Sequence, residues 1–208
     1  MPLSFRTLTA VGRPRWLSLC LAIVTALVVL VPPVPDLAPT AAAAPTSIWS
    51  GSVTPGTVTD PDTAAVELGV KFRADTNGFI TGLRFYKGPN NTGTHVGHLW
   101  TATGTLLATA TFTGETASGW QQVTLASPVA ISANTTYVAS YYAPVGRYSV
   151  DDNYFAAGGV DNPPLHALAS GVAGGNGVYR YGTGGGFPTS TFAASNYWVD
   201  VVYTTTSG

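Results

Sequence analysis

The chain has 208 residues, of which only 9% are charged, with 24 glycines, 15 prolines and a formal net charge of −1. One ordinary domain fits that length, and the 45% hydrophobic fraction is enough for a core, which excludes a chain disordered by composition. Without residues 1–43 the balance is six basic and nine acidic residues, a net of −3, which argues against a nucleic-acid partner because such a partner needs a basic surface.

The N-terminus reads as an export signal. Arg6, Arg13 and Arg15 make a basic region ahead of the apolar run 17–31. That run of fifteen residues is short of the about 20 needed to span a bilayer and suits a signal-peptide core. A proline-rich exit, PPVPDLAPT, leads to Ala41-Ala42-Ala43, where small side chains predict cleavage before Ala44. Cys20 stands near the start of the apolar run behind Leu19, unlike a lipidation site. It is the only cysteine, so the mature domain, residues 44–208, contains no disulfide. The expectation is a secreted or surface-displayed protein, with no membrane partner after cleavage.

The mature chain opens with an expected entry strand, IWSGSV, and the turn-rich TPGTVTDPDTA. Period-2 alternation follows. In VELGVKF, Val66, Leu68, Val70 and Phe72 share one face and Glu67, Gly69, Lys71 and Arg73 the other. In FITGLRFYKG, Phe79, Leu83 and Phe85 are expected inward, Arg84 and Tyr86 outward. GHLWTATG and TLLATATFTG predict a hairpin around Thr103-Gly104. GWQQVTLASPVAIS predicts a strand with Val123 and Leu125 inward, and TTYVASYYAP and NYWVDVVYTTT two more. About eight to ten short strands separated by turn signals predict an all-β antiparallel sandwich, jelly-roll-like in arrangement.

Residues 143–192 interrupt the regularity. They carry little alternation, many glycines, and Tyr148, Tyr154, Phe155, Tyr179, Tyr181 and Phe187. Connections of that length are usually functional or partly disordered, which makes this the first place to look for a ligand surface.

VELGVKF, GLRFYKG, NTGTHVGHLW, GTLLATATFTGETASGWQQV, TTYVASYYAPVGRYS and NYWVDVVY resemble the bacterial domain of unknown function 4082 family over roughly residues 47–203. The resemblance implies a secreted actinobacterial β-sandwich module of the kind found beside immunoglobulin-like and carbohydrate-active domains. It supplies no catalytic residues.

Four chemistries have candidate residues. His95 and His98 are three apart, so on a strand they point to opposite faces; sharing a metal would need a turn at 94–97 and a distant third ligand such as His166. Asp60, Asp62, Asp151 and Asp152 lie in oxygen-rich loops and are candidate calcium ligands, although turn-forming Asp is commoner. A hydrolase would need paired carboxylates, but Glu67 and Glu115 are the only glutamates. Glu67 is expected outward on its strand, Glu115 lies in a turn, and there is no nucleophile elbow, P-loop or dinucleotide fingerprint. Sugar binding needs aromatic rings with polar neighbours. Trp49, Trp100, Trp120 and Trp198 lie on expected strands, where core packing accounts for them. Tyr148, Tyr154, Tyr179 and Tyr181, with Arg147 and Arg180 beside them, are the better candidates. The reading is a non-catalytic module that binds an extracellular polysaccharide or cell-wall glycan without an obligatory cofactor. The alternatives are a structural or adhesion module with protein partners and an uncharacterised hydrolase.

Overall fold

A computed structural model describes Gly12 and residues 44–207; the export-signal reading of residues 1–43 lies outside the described residues, Gly12 apart. The chain divides into two units, Met1–Pro39 and Thr40–Gly208, and every described strand belongs to the second.

The fold is the expected antiparallel β-sandwich. The strands are β1 (Val66–Ala74), β2 (Gly78–Lys87), β3 (Val96–Thr101), β4 (Leu106–Thr111), β5 (Gly119–Ile131) and β6 (Tyr137–Ala143). After them come β7 (Val160–Asn162), β8 (Leu165–Ala167), β9 (Val178–Tyr181), β10 (Ser190–Thr191) and β11 (Val199–Thr204). One eight-stranded sheet runs β10-β9-β1-β6-β3-β4, with β8 also on β1 and β7 on β8; the second sheet is β11-β2-β5. The chain crosses between sheets after β1, β2, β4, β5 and β10, so the interior is sealed by residues far apart in sequence. Val66, Leu68, Val70 and Phe72 are buried as expected, against Tyr141 and Ala139 of β6 and Leu83 and Phe85 of β2. Phe85 stacks on Tyr141 with ring centroids 4.1 Å apart and meets Phe112 edge-on at 4.8 Å, contacts that add about 0.5–1.5 kcal/mol each beyond burial.

Three local expectations change. Phe79 is half-buried and Ile80 takes the core position. The cause is a β-bulge, since Ile80 pairs with Tyr203 while Gly82 pairs with Val202. Thr81 is the extra residue, and it reverses the parity of the strand. The entry strand IWSGSV does not form: Thr46 makes an isolated bridge to Tyr203, and the N–H groups of Ile48 and Trp49 go instead to the Asp200 carboxylate, at 2.8 and 3.3 Å. The long segment 143–192 contains four short strands, two of which lie along β1. β9 pairs with Val66–Gly69 and β8 with Phe72–Ala74. Asn176 fills the gap between them: its side chain accepts from Lys71 N at 2.8 Å and donates to Lys71 O at 3.0 Å, and also to Leu168 O at 2.8 Å.

A buried ion pair joins neighbouring strands of the second sheet. Arg84 Nη1 of β2 lies 2.9 Å from Asp200 Oδ2 of β11, the Asp200 side chain fully buried. The guanidinium sits 4.5 Å from the centre of the Trp120 ring. Trp49 and Trp198 complete a cluster around Trp120, at 6.4 and 6.2 Å. Burial pushes the Asp200 carboxyl up to about 6, against the opposing pull of Arg84 and of N–H donors from Ile48, Val201 and Trp49.

Asp200→Ala is therefore expected to cost about 3–5 kcal/mol, because it leaves the Arg84 charge buried and uncompensated. A double variant, Arg84→Met with Asp200→Leu, is expected to cost clearly less. Urea unfolding followed by tryptophan fluorescence checks both; equal losses would show that the charge pair is not the source.

Candidate functional site

Each of the three histidines has a carboxylate of its own, and none shares a ligand with another. His95 is fully buried, with Nδ1 at 2.8 Å from Glu115 and Nε2 at 2.8 Å from the Asn91 amide, which donates to the Tyr141 hydroxyl. Lys87 Nζ closes this network on Glu115 at 2.7 Å. Burial pushes the His95 imidazole below its ordinary value, against the pull of Glu115. His98 lies across the strand from it, as alternation requires, with Nδ1 at 2.9 Å from Glu67. His166 on β8 lies between Asp161 and Asp75, at 2.6 and 2.9 Å.

Glu67 is not outward-facing in the solvent sense. It points away from the main core, as its position in β1 dictates, yet it is fully buried. Its Oε1 accepts from Ser140 Oγ at 2.5 Å, and Trp100 Nε1 donates to that same Oγ at 2.8 Å. The cover comes from residues 182–188. Gly185, at a φ of +71°, passes close enough to Glu67 Oε2 that a Cβ there would collide with it. Phe187 lies 5.7 Å from Trp100 and joins it, Val138 and Val178 in a second small core. Arg180 Nη1 donates to the Gly185 carbonyl and so belongs to this strap.

The expected tyrosines divide between two places. Tyr179 and Tyr181 alternate with Arg180 on β9 and pair with Leu68 and Val66, so their rings stand on the inward face of the large sheet and Arg180 on the opposite one. Tyr148, from the loop after β6, joins them. Together with Asp60 and Asp62 they line a cleft of about 310 Å³, floored by Val66 and Leu68 and completed by Phe192 and Tyr197. Asp62 Oδ2 accepts from the Tyr181 hydroxyl at 2.6 Å and from Tyr148 at 3.3 Å, while Asp62 Oδ1 accepts from Ala64 N at 2.8 Å. Burial raises the Asp62 carboxyl, but these donors outweigh it and hold the group below its ordinary value. The same carboxylate, with some burial, raises the Tyr181 phenol.

The other expected residues lie elsewhere. Tyr154 accepts from Trp49 Nε1 at 3.2 Å and packs 5.5 Å from Trp198, in the tryptophan cluster. Arg147, at a φ of +55°, braces the cleft loop by donating its backbone N–H to Asp62 O at 2.8 Å, but it does not line the cleft. Of the expected calcium ligands, Asp60 and Asp62 are on the cleft. Asp151 instead accepts from Gly56 N, Thr57 N and Trp198 Nε1, and Asp152 from Ser195 Oγ. Among the described residues no group of three or more His, Cys, Asp or Glu side chains comes together in a metal-binding arrangement. Phe192 and Tyr197 were not anticipated, since Tyr197 reads as part of the closing strand. It precedes that strand because Trp198 adopts a φ of +55°, with its N–H turned back to Asn196 Oδ1 at 2.8 Å.

The Asp161 hydrogen bond, and less strongly the neighbouring Asp75 carboxylate, raise the His166 imidazole above its ordinary value against the effect of burial. Its contribution to stability is therefore fully present below about 6.5, the unfolded value, and is lost as pH rises through the folded value. His166→Gln is expected to flatten the fall in melting temperature on the alkaline side of pH 6.5. The effect should be about 0.5 kcal/mol or less because the partners are exposed. Parallel thermal-melt profiles of the two proteins would contradict this.

No curated protein matches the chain. The family profile described as Domain of unknown function (DUF4082) matches residues 52–199, a span from before β1 to the first residue of β11 that contains every residue of the cleft, and the chain belongs to that family.

Proposed function

We propose that the protein is a secreted, non-catalytic module that holds an extracellular glycan in the tyrosine cleft. The observation that carries this reading is the exposure of aromatic side chains at one concave place. Tyr181 and Phe192 are 51% and 61% exposed, and both line the same cleft as Tyr148, Tyr179 and two carboxylates. Exposed rings beside fixed polar acceptors suit a sugar, whose C–H face packs on an aromatic ring while its hydroxyls donate to carboxylate oxygens. The Trp49, Trp120 and Trp198 indoles are occupied in another way, their N–H groups donating to Tyr154, Val53 O and Asp151.

The non-catalytic part of the reading is supported by how the cleft acids are used. Asp62 is held ionised by three donors, and Asp60 Oδ1 caps Asp62 N at 2.8 Å. Asp62, held below its ordinary value, does not resemble a general acid, which needs a raised carboxyl in an apolar setting. The secreted part rests on the basic, apolar and small-residue order of residues 1–43.

Retention on insoluble chitin, cellulose and peptidoglycan tests the reading. The protein is expected to be held by at least one of the three, Tyr181→Ala to weaken retention roughly tenfold, and Tyr154→Phe to leave it unchanged. A fully folded protein that none of them retains would sink the glycan reading.

A further inference from the structure

We infer that the cleft is shaped and charged for a compact organic ammonium group, so that its glycan ligand is one carrying amino or methylated amino substituents. The inference rests on the cleft being the binding site proposed above, and it adds the chemical class of what enters.

The first argument is shape. The rings follow one another at steep angles: Tyr148 to Tyr197 at 83°, Tyr197 to Tyr179 at 78°, and Tyr179 to Tyr181 at 69°. Their centroids are 5.8, 6.4 and 5.5 Å apart in the same order. A row of coplanar rings would make a flat platform for a pyranose. Successive near-perpendicular rings make a corner, with Tyr148 and Tyr197 buried at its back and Tyr181 open at its mouth, a shape that suits a rounded group better than a flat one. The space of about 310 Å³ lies at the small end of the ~300–1,000 Å³ of ligand pockets, enough for a head group and not for a long chain.

The second argument is charge. Asp60 and Asp62 are in the wall, and no Lys, Arg or His is among the lining residues. A uronate, sulfate or phosphate would meet two carboxylates with no cation to offset them. A cation gains from both acids and from the ring faces, the arrangement by which aromatic cages hold quaternary ammonium. Asp62 has both oxygens engaged, but Asp60 has only Oδ1 in use, on Asp62 N; its other oxygen accepts no hydrogen bond among the described residues. The two phenols donate to Asp62, which enriches their rings in electron density and strengthens their pull on a cation.

An NMR titration of the full chain with choline, and with the neutral isostere in which a carbon atom replaces the nitrogen, separates charge from shape. Choline is expected to bind at least about tenfold more tightly than the isostere, with an affinity that falls as salt rises. Asp60→Asn, which keeps the shape and removes one charge, is expected to lower choline affinity severalfold, and Tyr179→Ala to abolish it. Glucosamine oligosaccharides are expected to bind more tightly than their N-acetylated counterparts, which shows whether the sugar itself can supply the ammonium. Equal affinity for choline and the isostere, or an Asp60→Asn protein that binds choline as well as the wild type, would overturn the inference. So would failure of both choline and glucosamine oligosaccharides to bind. Retention on a neutral polysaccharide that choline does not displace would end the ammonium inference while leaving the glycan reading standing. Choline binding with no retention on any polysaccharide would do the reverse.

Discussion

Nine residues of β1 expose two rows of backbone N–H and C=O groups, and both rows must be paired because the strand is buried on both faces. β6 takes one row. The other is taken in pieces by β9 and β8, with the Asn176 amide supplying the missing rung between them. This requirement organises the second half of the molecule. It draws the glycine-rich chain around 143–192 onto one edge, fixes Tyr179 and Tyr181 over Val66 and Leu68, and sends the 182–188 strap back across the outer face. The cleft is thus a by-product of satisfying a strand edge, and its floor is the same apolar row that makes the core.

The large sheet is covered on both sides at β1, and the two covers have different characters. Inside is the aromatic core around Phe85 and Tyr141. Outside is a small shell of Trp100, Val138, Val178 and Phe187 enclosing the polar group of Glu67, Ser140 and His98. Glu67 Oε1, Ser140, His98 and the Trp100 indole partner one another there, as a low-dielectric setting demands, whereas Glu67 Oε2 is buried without a hydrogen-bond partner among the described residues.

Much of this was legible in the sequence, because alternation is a local property. The inward row of β1, the hairpin at Thr103-Gly104 and the separation of His95 from His98 all follow from a period of two. The same rule places Arg180 opposite Tyr179 and Tyr181, so its absence from the cleft is predictable once β9 is recognised. What was not legible depends on distant chain. Glu67 reads as solvent-facing because its cover is contributed by Gly185 and Phe187, far along the sequence. The entry strand reads as a strand because nothing near Ile48 announces that Asp200 will take its N–H groups. The inversion of Phe79 and Ile80 depends on a single extra residue beside Gly82, and a glycine in a strand is only a weak notice of a bulge. The division of the tyrosines was beyond reach for the same reason: Tyr154 belongs to the tryptophan cluster through Trp49, a partner from the opposite end of the domain.

The reciprocal hydrogen bonds between Thr46 and Tyr203, 2.9 and 2.8 Å, have a mechanical side. The antiparallel bridge puts residues 45 and 204 at the same end, so tension applied through the two flanks of the domain pulls them apart from one point. The bonds then open one after another, first this bridge and next the clasp of Asp200 on Ile48 and Trp49, instead of resisting together in shear.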